Sequence, residues 1–230
     1  MDSRQMTNRG DNKRNSMIRV SHARDTRWAR HTALALVGMI ALALSLGVAQ
    51  PAIGSGETEV VGTVSAASRG FPSVVILEPA SPARVPISSE PAKINQVGKS
   101  FTPGVVVARV GQVVEFHNGE SLLHNVHMIN LDSGDTLFNI AMPVVGMVHR
   151  FTPEEPGVYA VLCDVHPEME AYVIATNSPY YTVAAEDGSF ELPEVPSGSY
   201  TLRVWNVKES RSFAREVQVA GPTTEISSGR

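Results

Sequence analysis

Past residue 56 the chain alternates short apolar runs with clusters of Gly, Pro, Asn, Asp and Ser, and no stretch holds a 3.6-residue apolar period. Runs rich in Val, Ile, Thr, Tyr and Phe at this spacing are the pattern of strands. Strands are predicted at 59–64, 73–78, 104–109, 112–117, 124–129, 147–151, 157–163, 170–176, 180–184, 189–192, 199–205 and 213–219. A dozen short strands without intervening helices predict an all-β fold of the sandwich or barrel type. Asp187-Gly188 reads as a hairpin turn and Pro196-Ser197-Gly198 as a second turn. Tyr200, Leu202 and Val204 then form the inward face of the strand that follows. Residues 80–93, dense in Pro and Ser, read as a linker, and Asn177-Ser178-Pro179 as a second boundary.

One segment departs from this pattern: residues 32–49 form an apolar run of 18. Before it, residues 1–31 carry eight of the chain's 19 Lys and Arg against three of its 23 Asp and Glu. A basic head, an apolar run and the small residues Gly47-Val48-Ala49 together read as an export signal. The run is also just long enough to span a bilayer. Cleavage after Ala49 is the favoured outcome, with retention as a membrane anchor through residues 32–49 as the alternative. Either way the basic side stays cytoplasmic, and residues 50–230 become periplasmic or otherwise extracytoplasmic. Beyond residue 31 the chain has 11 basic and 20 acidic residues, a net of −9. That balance excludes nucleic acid as a partner and favours a protein partner with a basic docking face.

Export changes the meaning of the single cysteine, Cys163. Exported proteins use cysteines in pairs, and a lone thiol in an oxidising compartment is open to oxidation unless something protects it. Cys163 ends one predicted strand and Glu170 opens the next, so residues 164–169 form a loop at one end of a sheet. That loop carries His166 and Met169 at steps of three. Thiolate, imidazole and thioether on one curved loop suit a soft ion, copper above all. Zinc would prefer a fourth strong ligand to a thioether.

A second imidazole has to come from elsewhere. His124, at the start of a predicted strand, is the leading candidate and His127 its rival. In an extended strand these two point to opposite faces. His117 and His149 have no comparable loop setting. Taken singly, a buried Cys or Met is more often packing than ligand, but their joint spacing favours a metal. A Cys-His nucleophile pair would need an orienting group and an oxyanion site. The sequence offers no clear residues for either, and the protein is expected to be a carrier, not an enzyme.

These residues, with Lys99-Ser100-Phe101-Thr102-Pro103, the string VGQVVEF at 110–116, His124-Asn125-Val126, PGVYAVLC at 156–163 and HPEM at 166–169, resemble the cupredoxins. The amicyanin and plastocyanin branch is the nearest, and the short Cys-x-x-His-x-x-Met loop resembles that of the amicyanins, the plastocyanin loop being longer. The resemblance implies a Greek-key cupredoxin β-sandwich over residues 94–177. It implies one type 1 copper ion held by His124, Cys163, His166 and Met169. Asn125 falls where the family ties its two ligand loops together by hydrogen bonds. The implied activity is single-electron transfer by Cu(II)/Cu(I) cycling to a redox partner protein, with the exposed edge of His166 as the electron port. Two departures accompany it. His117 stands where relatives carry a non-ligand residue, and Glu168 and Glu170 make the surface near His166 acidic. The alternative function is non-redox: a copper chaperone or sensor, or an extracytoplasmic adhesion module with a structural metal.

A wider resemblance rests on Val61-Gly62-Thr63-Val64, Ile94-Asn95-Gln96 and the segment 186–205. It is to the larger cupredoxin-type methylamine-utilisation proteins and to carboxypeptidase regulatory-like, transthyretin-type sandwich modules. It implies that residues 57–80 and 178–220 form one small transthyretin-like β-sandwich around the inserted copper domain. Residues 221–230 would be a flexible tail.

Overall fold

The computed structural model describes residues 56–206 and 213–227. The basic head and the apolar run 32–49 lie outside the described residues. Within them are sixteen strands and no helix, and hence no helix long and apolar enough to cross a membrane. In chain order the first eight are β1 (Glu57–Thr63), β2 (Val74–Pro79), β3 (Ala92–Val97), β4 (Ser100–Thr102), β5 (Val105–Arg109), β6 (Val114–Asn118), β7 (His124–Asn130) and β8 (Thr136–Met142). The rest are β9 (Val148–Phe151), β10 (Gly157–Leu162), β11 (Glu170–Thr176), β12 (Tyr180–Val183), β13 (Ser189–Pro196), β14 (Gly198–Trp205), β15 (Phe213–Val219) and β16 (Thr223–Ser227).

Alternation along each strand sorts these into two sandwiches. Sheet β4-β3-β6-β9 packs on sheet β5-β11-β10-β7-β8. Ile94, Val114 and Phe116 from the first meet Val126, Met128, Val161 and Val173 from the second. Sheet β13-β1-β16 packs on sheet β12-β2-β14-β15. There Val60, Leu192 and Ile226 meet Val75, Leu77, Leu202 and Val204. A third cluster joins the sandwiches back to back, with Val74, Ile76 and Trp205 against Val105, Val107, Tyr172 and Ile174. All of this lies in one compact unit. The strands VVILEP, VVVAR and EAYVIAT read as continuous apolar runs because both of their faces are covered.

Four strands escaped the sequence pattern. β3 starts at Ala92, inside the residues read as linker, and pairs in parallel with β6. β4 has three residues, too few for a period. In β8 the inward series Phe138, Ile140 and Met142 is regular, but Asn139 and an exposed outer face mask it. The tail expected at 221–230 contains β16, which pairs in parallel with β1 and buries Ile226. A single buried apolar residue in five gives no pattern to read. The Asp187-Gly188 turn is also corrected: it leads from β12 in one sheet to β13 in the other, so it closes no hairpin. Gly188 is needed there at φ 88°, where a Cβ would lie 2.1 Å from the Val64 carbonyl oxygen.

β1 is the central strand of its sheet, and Gly62 sits where β16 approaches. A Cβ on Gly62 would lie 1.7 Å from the Ile226 carbonyl oxygen, a backbone atom that moves only with its strand. Gly62→Ala is therefore expected to push β16 off the sheet and destabilise the protein by about 1–3 kcal/mol. Denaturant unfolding of the full chain measures this, and a wild-type midpoint would contradict the close approach.

Candidate metal centre

The site is built at one end of the first sandwich, where β10 gives way to β11. The two strands pair antiparallel up to Leu162 and Glu170, and residues 163–169 turn between them. The turn is held from within: the Cys163 amide donates to the Met169 carbonyl at 3.3 Å, and the Met169 amide to the His166 carbonyl at 2.9 Å. Cys163 and Met169 both enter the core beneath the loop, 2% and 1% exposed. His166 is partly exposed.

His124 comes from β7, the other neighbour of β10. Alternation along β7 sends His124, Val126 and Met128 inward and His127 outward. His124 is completely buried. Its Nδ1 lies 4.0 Å from Cys163 Sγ and 3.1 Å from His166 Nδ1, and His166 Nδ1 lies 3.9 Å from the same sulfur. All three donor atoms fall within 4.8 Å of one another. This set can hold a metal ion. His127 instead meets Asp164, while His117 pairs with Glu115 and His149 stacks on Phe138.

Glu120 orients the His124 ring, and it was not found from the sequence. Its Oε1 lies 3.0 Å from His124 Nε2 and also accepts the Lys99 amide at 2.9 Å. The Lys99 amide holds the Glu120 carboxyl below the usual carboxylate range, with the His124 contact helping. An ionised carboxylate only accepts, so the ring proton sits on Nε2. That tautomer leaves the Nδ1 lone pair facing Cys163. The Glu-x-x-x-His spacing was the available signal. Asn118 was missed as well: buried at the end of β6, it donates to the Leu122 and Met142 carbonyls and accepts the Glu120 amide.

Asn125 stands between the two loops. Its Oδ1 accepts the Asp164 amide at 2.7 Å and the Val165 amide at 3.4 Å, and its Nδ2 donates to Asn139 Oδ1 at 2.7 Å. Asn139 Nδ2 then donates to Asp164 Oδ2 at 2.6 Å, and Asp164 Oδ1 accepts from His127 Nδ1 at 3.0 Å. The loop after Cys163 is thus tied to β7 and β8 through one polar chain.

Of the two acidic residues near His166, Glu168 is exposed and Glu170 is engaged. Glu170 is paired with Arg69 and accepts the Tyr172 hydroxyl. Leu122, Leu123, Val144, Val145 and Val165 are exposed in the loops of this end, Val144 to 61%. The 143–147 loop belongs here because the Gly146 amide donates to the Asn118 carbonyl.

Three carboxylates of this sandwich sit below their ordinary range. Glu115 is held there first by His117, Glu120 by the Lys99 amide, and Asp164 by the Asn139 amide. Depressed carboxylates add stability that is complete above their unfolded values and is lost as pH falls through the lower folded ones. The urea midpoint of the metal-free chain is therefore expected to fall as pH drops from about 5 to about 3. A midpoint constant over that range would show these contacts to be absent.

No family model matches the chain. Amicyanin from Paracoccus versutus is 28% identical over 131 residues, which cover 57% of this chain and 98% of that protein. Among solved structures, a novel purple cupredoxin from Nitrosopumilus maritimus is similar at 26% identity, with 37% of this chain and 99% of that chain covered and a TM-score of 0.33. A Cu(I) structure of an amicyanin variant is similar at 21% identity, with 44% and 98% covered and a TM-score of 0.35. The amicyanin match spans nearly all of that protein, and the chain has a cupredoxin-like fold.

Proposed function

We propose that this protein is an exported type 1 copper protein that carries single electrons. The observation that carries the reading is the convergence of His124 Nδ1, Cys163 Sγ and His166 Nδ1, with two of the three residues buried. Met169, in the core beneath the same loop, would add its thioether to the donor set. One soft thiolate, two imidazoles and a thioether form the donor set that favours copper over zinc. When bound there, copper supplies a one-electron couple between Cu(II) and Cu(I). Glu120 orients the His124 ring with Nδ1 inward, Asn125 holds the loops in register, and the sandwich core excludes water from Cys163. Groups fixed in advance by strands and hydrogen bonds need little rearrangement when the charge at the site changes.

His166 is the electron port, and the apolar rim of Leu122, Leu123, Val144, Val145 and Val165 is the docking face for a redox partner protein. The net charge of −9 beyond residue 31 favours a partner whose surrounding surface is basic. Export through residues 32–49, with cleavage or anchoring, places this chemistry outside the cytoplasm. Residues 57–80 and 178–220 form the transthyretin-like scaffold in this reading, supported by the pairing of β1 with β13 and of β2 with β12 and β14.

The test is titration of the metal-free chain with Cu(II). One equivalent is expected to produce an intense visible thiolate-to-copper band that ascorbate bleaches reversibly. A colourless protein, or one that takes only Cu(I) or zinc, would favour a non-redox copper-handling or structural role and overturn the carrier.

A further inference from the structure

The smaller sandwich touches the ligand loop at its methionine end. Residues 68–71, between β1 and β2, form a tight turn in which Ser68 and Phe71 exchange backbone hydrogen bonds at 2.9 Å. Arg69 stands at the tip with φ 53°, a left-handed conformation that non-glycine residues adopt only at specific turns. Its Nη2 lies 2.8 Å from Glu170 Oε2. Glu170 directly follows Met169, and its pairing with Leu162 closes the loop. The other Glu170 oxygen accepts the Tyr172 hydroxyl.

Tyr172 is itself held on two sides by the smaller sandwich. Phe71 meets its ring edge-on at 5.1 Å, and Trp205 of β14 lies against it at 4.9 Å. An ion pair as exposed as Arg69–Glu170, 63% and 30%, adds little to global stability by itself. Its setting is what matters. Both ends are anchored, Arg69 by the turn and Glu170 by the clamped Tyr172, so the pair fixes a position.

We propose that Arg69 is a positioning residue: through Glu170 it holds the Met169 end of the ligand loop, so that the smaller sandwich helps to set where Met169 sits relative to the other candidate ligands. This rests on the copper reading above for its meaning, but the contact acts on the loop with or without a metal.

The experiment compares the full chain with Arg69→Ala, Arg69→Lys and Arg203→Ala. The last breaks a pair with Glu78 across β14 and β2, away from the ligand loop in sequence and of similar exposure. In the metal-free proteins, hydrogen exchange is read at the Cys163 and Met169 amides, the two that close the loop. Arg69→Ala is expected to speed both by roughly two- to fivefold, the range an exposed pair provides. Arg69→Lys is expected to restore slow exchange, and Arg203→Ala to leave it unchanged. In the Cu(II)-loaded proteins, Arg69→Ala is expected to shift the reduction potential and the intensity ratio of the visible bands, with Arg69→Lys returning both toward wild type. Wild-type exchange at both amides in Arg69→Ala would overturn the proposal. So would a wild-type potential and band ratio in a blue Arg69→Ala protein. A wild-type chain that shows no blue band would overturn the copper reading instead, while the exchange measurement still decides the role of Arg69.

Discussion

Cys163→Ser in the full chain is expected to abolish the visible band of the Cu(II)-loaded protein and to weaken Cu(II) binding by more than about 100-fold. Losing groups that only support metal ligands already costs about 10–100-fold. Cys163 is the one anionic soft donor in the set, with both imidazole Nδ1 atoms about it. A serine hydroxyl is a hard donor and keeps its proton at neutral pH. The side chain is 2% exposed, so a more polar hydroxyl is buried in place of the thiol and destabilises the metal-free protein by about 1–3 kcal/mol. Spectrophotometric titration separates the two effects when unfolding of the metal-free variant is measured beside it. A Ser variant that kept the band would remove the thiolate from the site and the proposed function with it.

The second large effect is expected at Asn125. Asn125→Ala strips the acceptor from the Asp164 and Val165 amides and the donor from Asn139. The groups left behind lie on exposed residues, so each of the three lost bonds costs about 0.5–1.5 kcal/mol. A loss of roughly 2–4 kcal/mol in the metal-free protein follows, with Cu(II) affinity down by about 10–100-fold. Asn125→Asp is informative because it keeps the acceptor and loses the donor. The new carboxylate would face Asn139 Oδ1, and flipping Asn139 would break its bond to Asp164. The Asp variant is therefore expected to be destabilised as well. Isothermal unfolding of all three proteins checks this, and a stable Asn125→Ala protein would show that the two loops need no tie.

The candidate site was legible to the extent that its members are close in sequence or obey strand parity. Cys163, His166 and Met169 share one loop, so their spacing alone implies convergence. His124 was separable from His127 because alternation in β7 leaves room for only one of them to face inward. Glu120, Asn118 and Asn139 were not found. They are polar residues of ordinary kinds at turns and edges, and their roles depend on which backbone groups the fold leaves unpaired nearby. Arg69 is still further from reach, since it meets Glu170 across 101 positions of sequence.

The fold divides in the same way. Strands with a buried face announce themselves through period-two alternation, as in Tyr200, Leu202 and Val204 of β14. β16 and β4 carry too few side chains for a period, and their existence is decided by the partner strand that satisfies their backbone groups. By itself, then, the sequence determined an all-β chain, a Cys-x-x-His-x-x-Met loop and the inward face of β7, because each depends on local periodicity or spacing. Only the tertiary structure decided that His124 reaches Cys163, that Glu120 sets its tautomer, that the two sandwiches share a buried seam and that Arg69 reaches the ligand loop. These are contacts between distant segments, and their partners are chosen by packing and hydrogen-bond satisfaction, which local sequence does not encode.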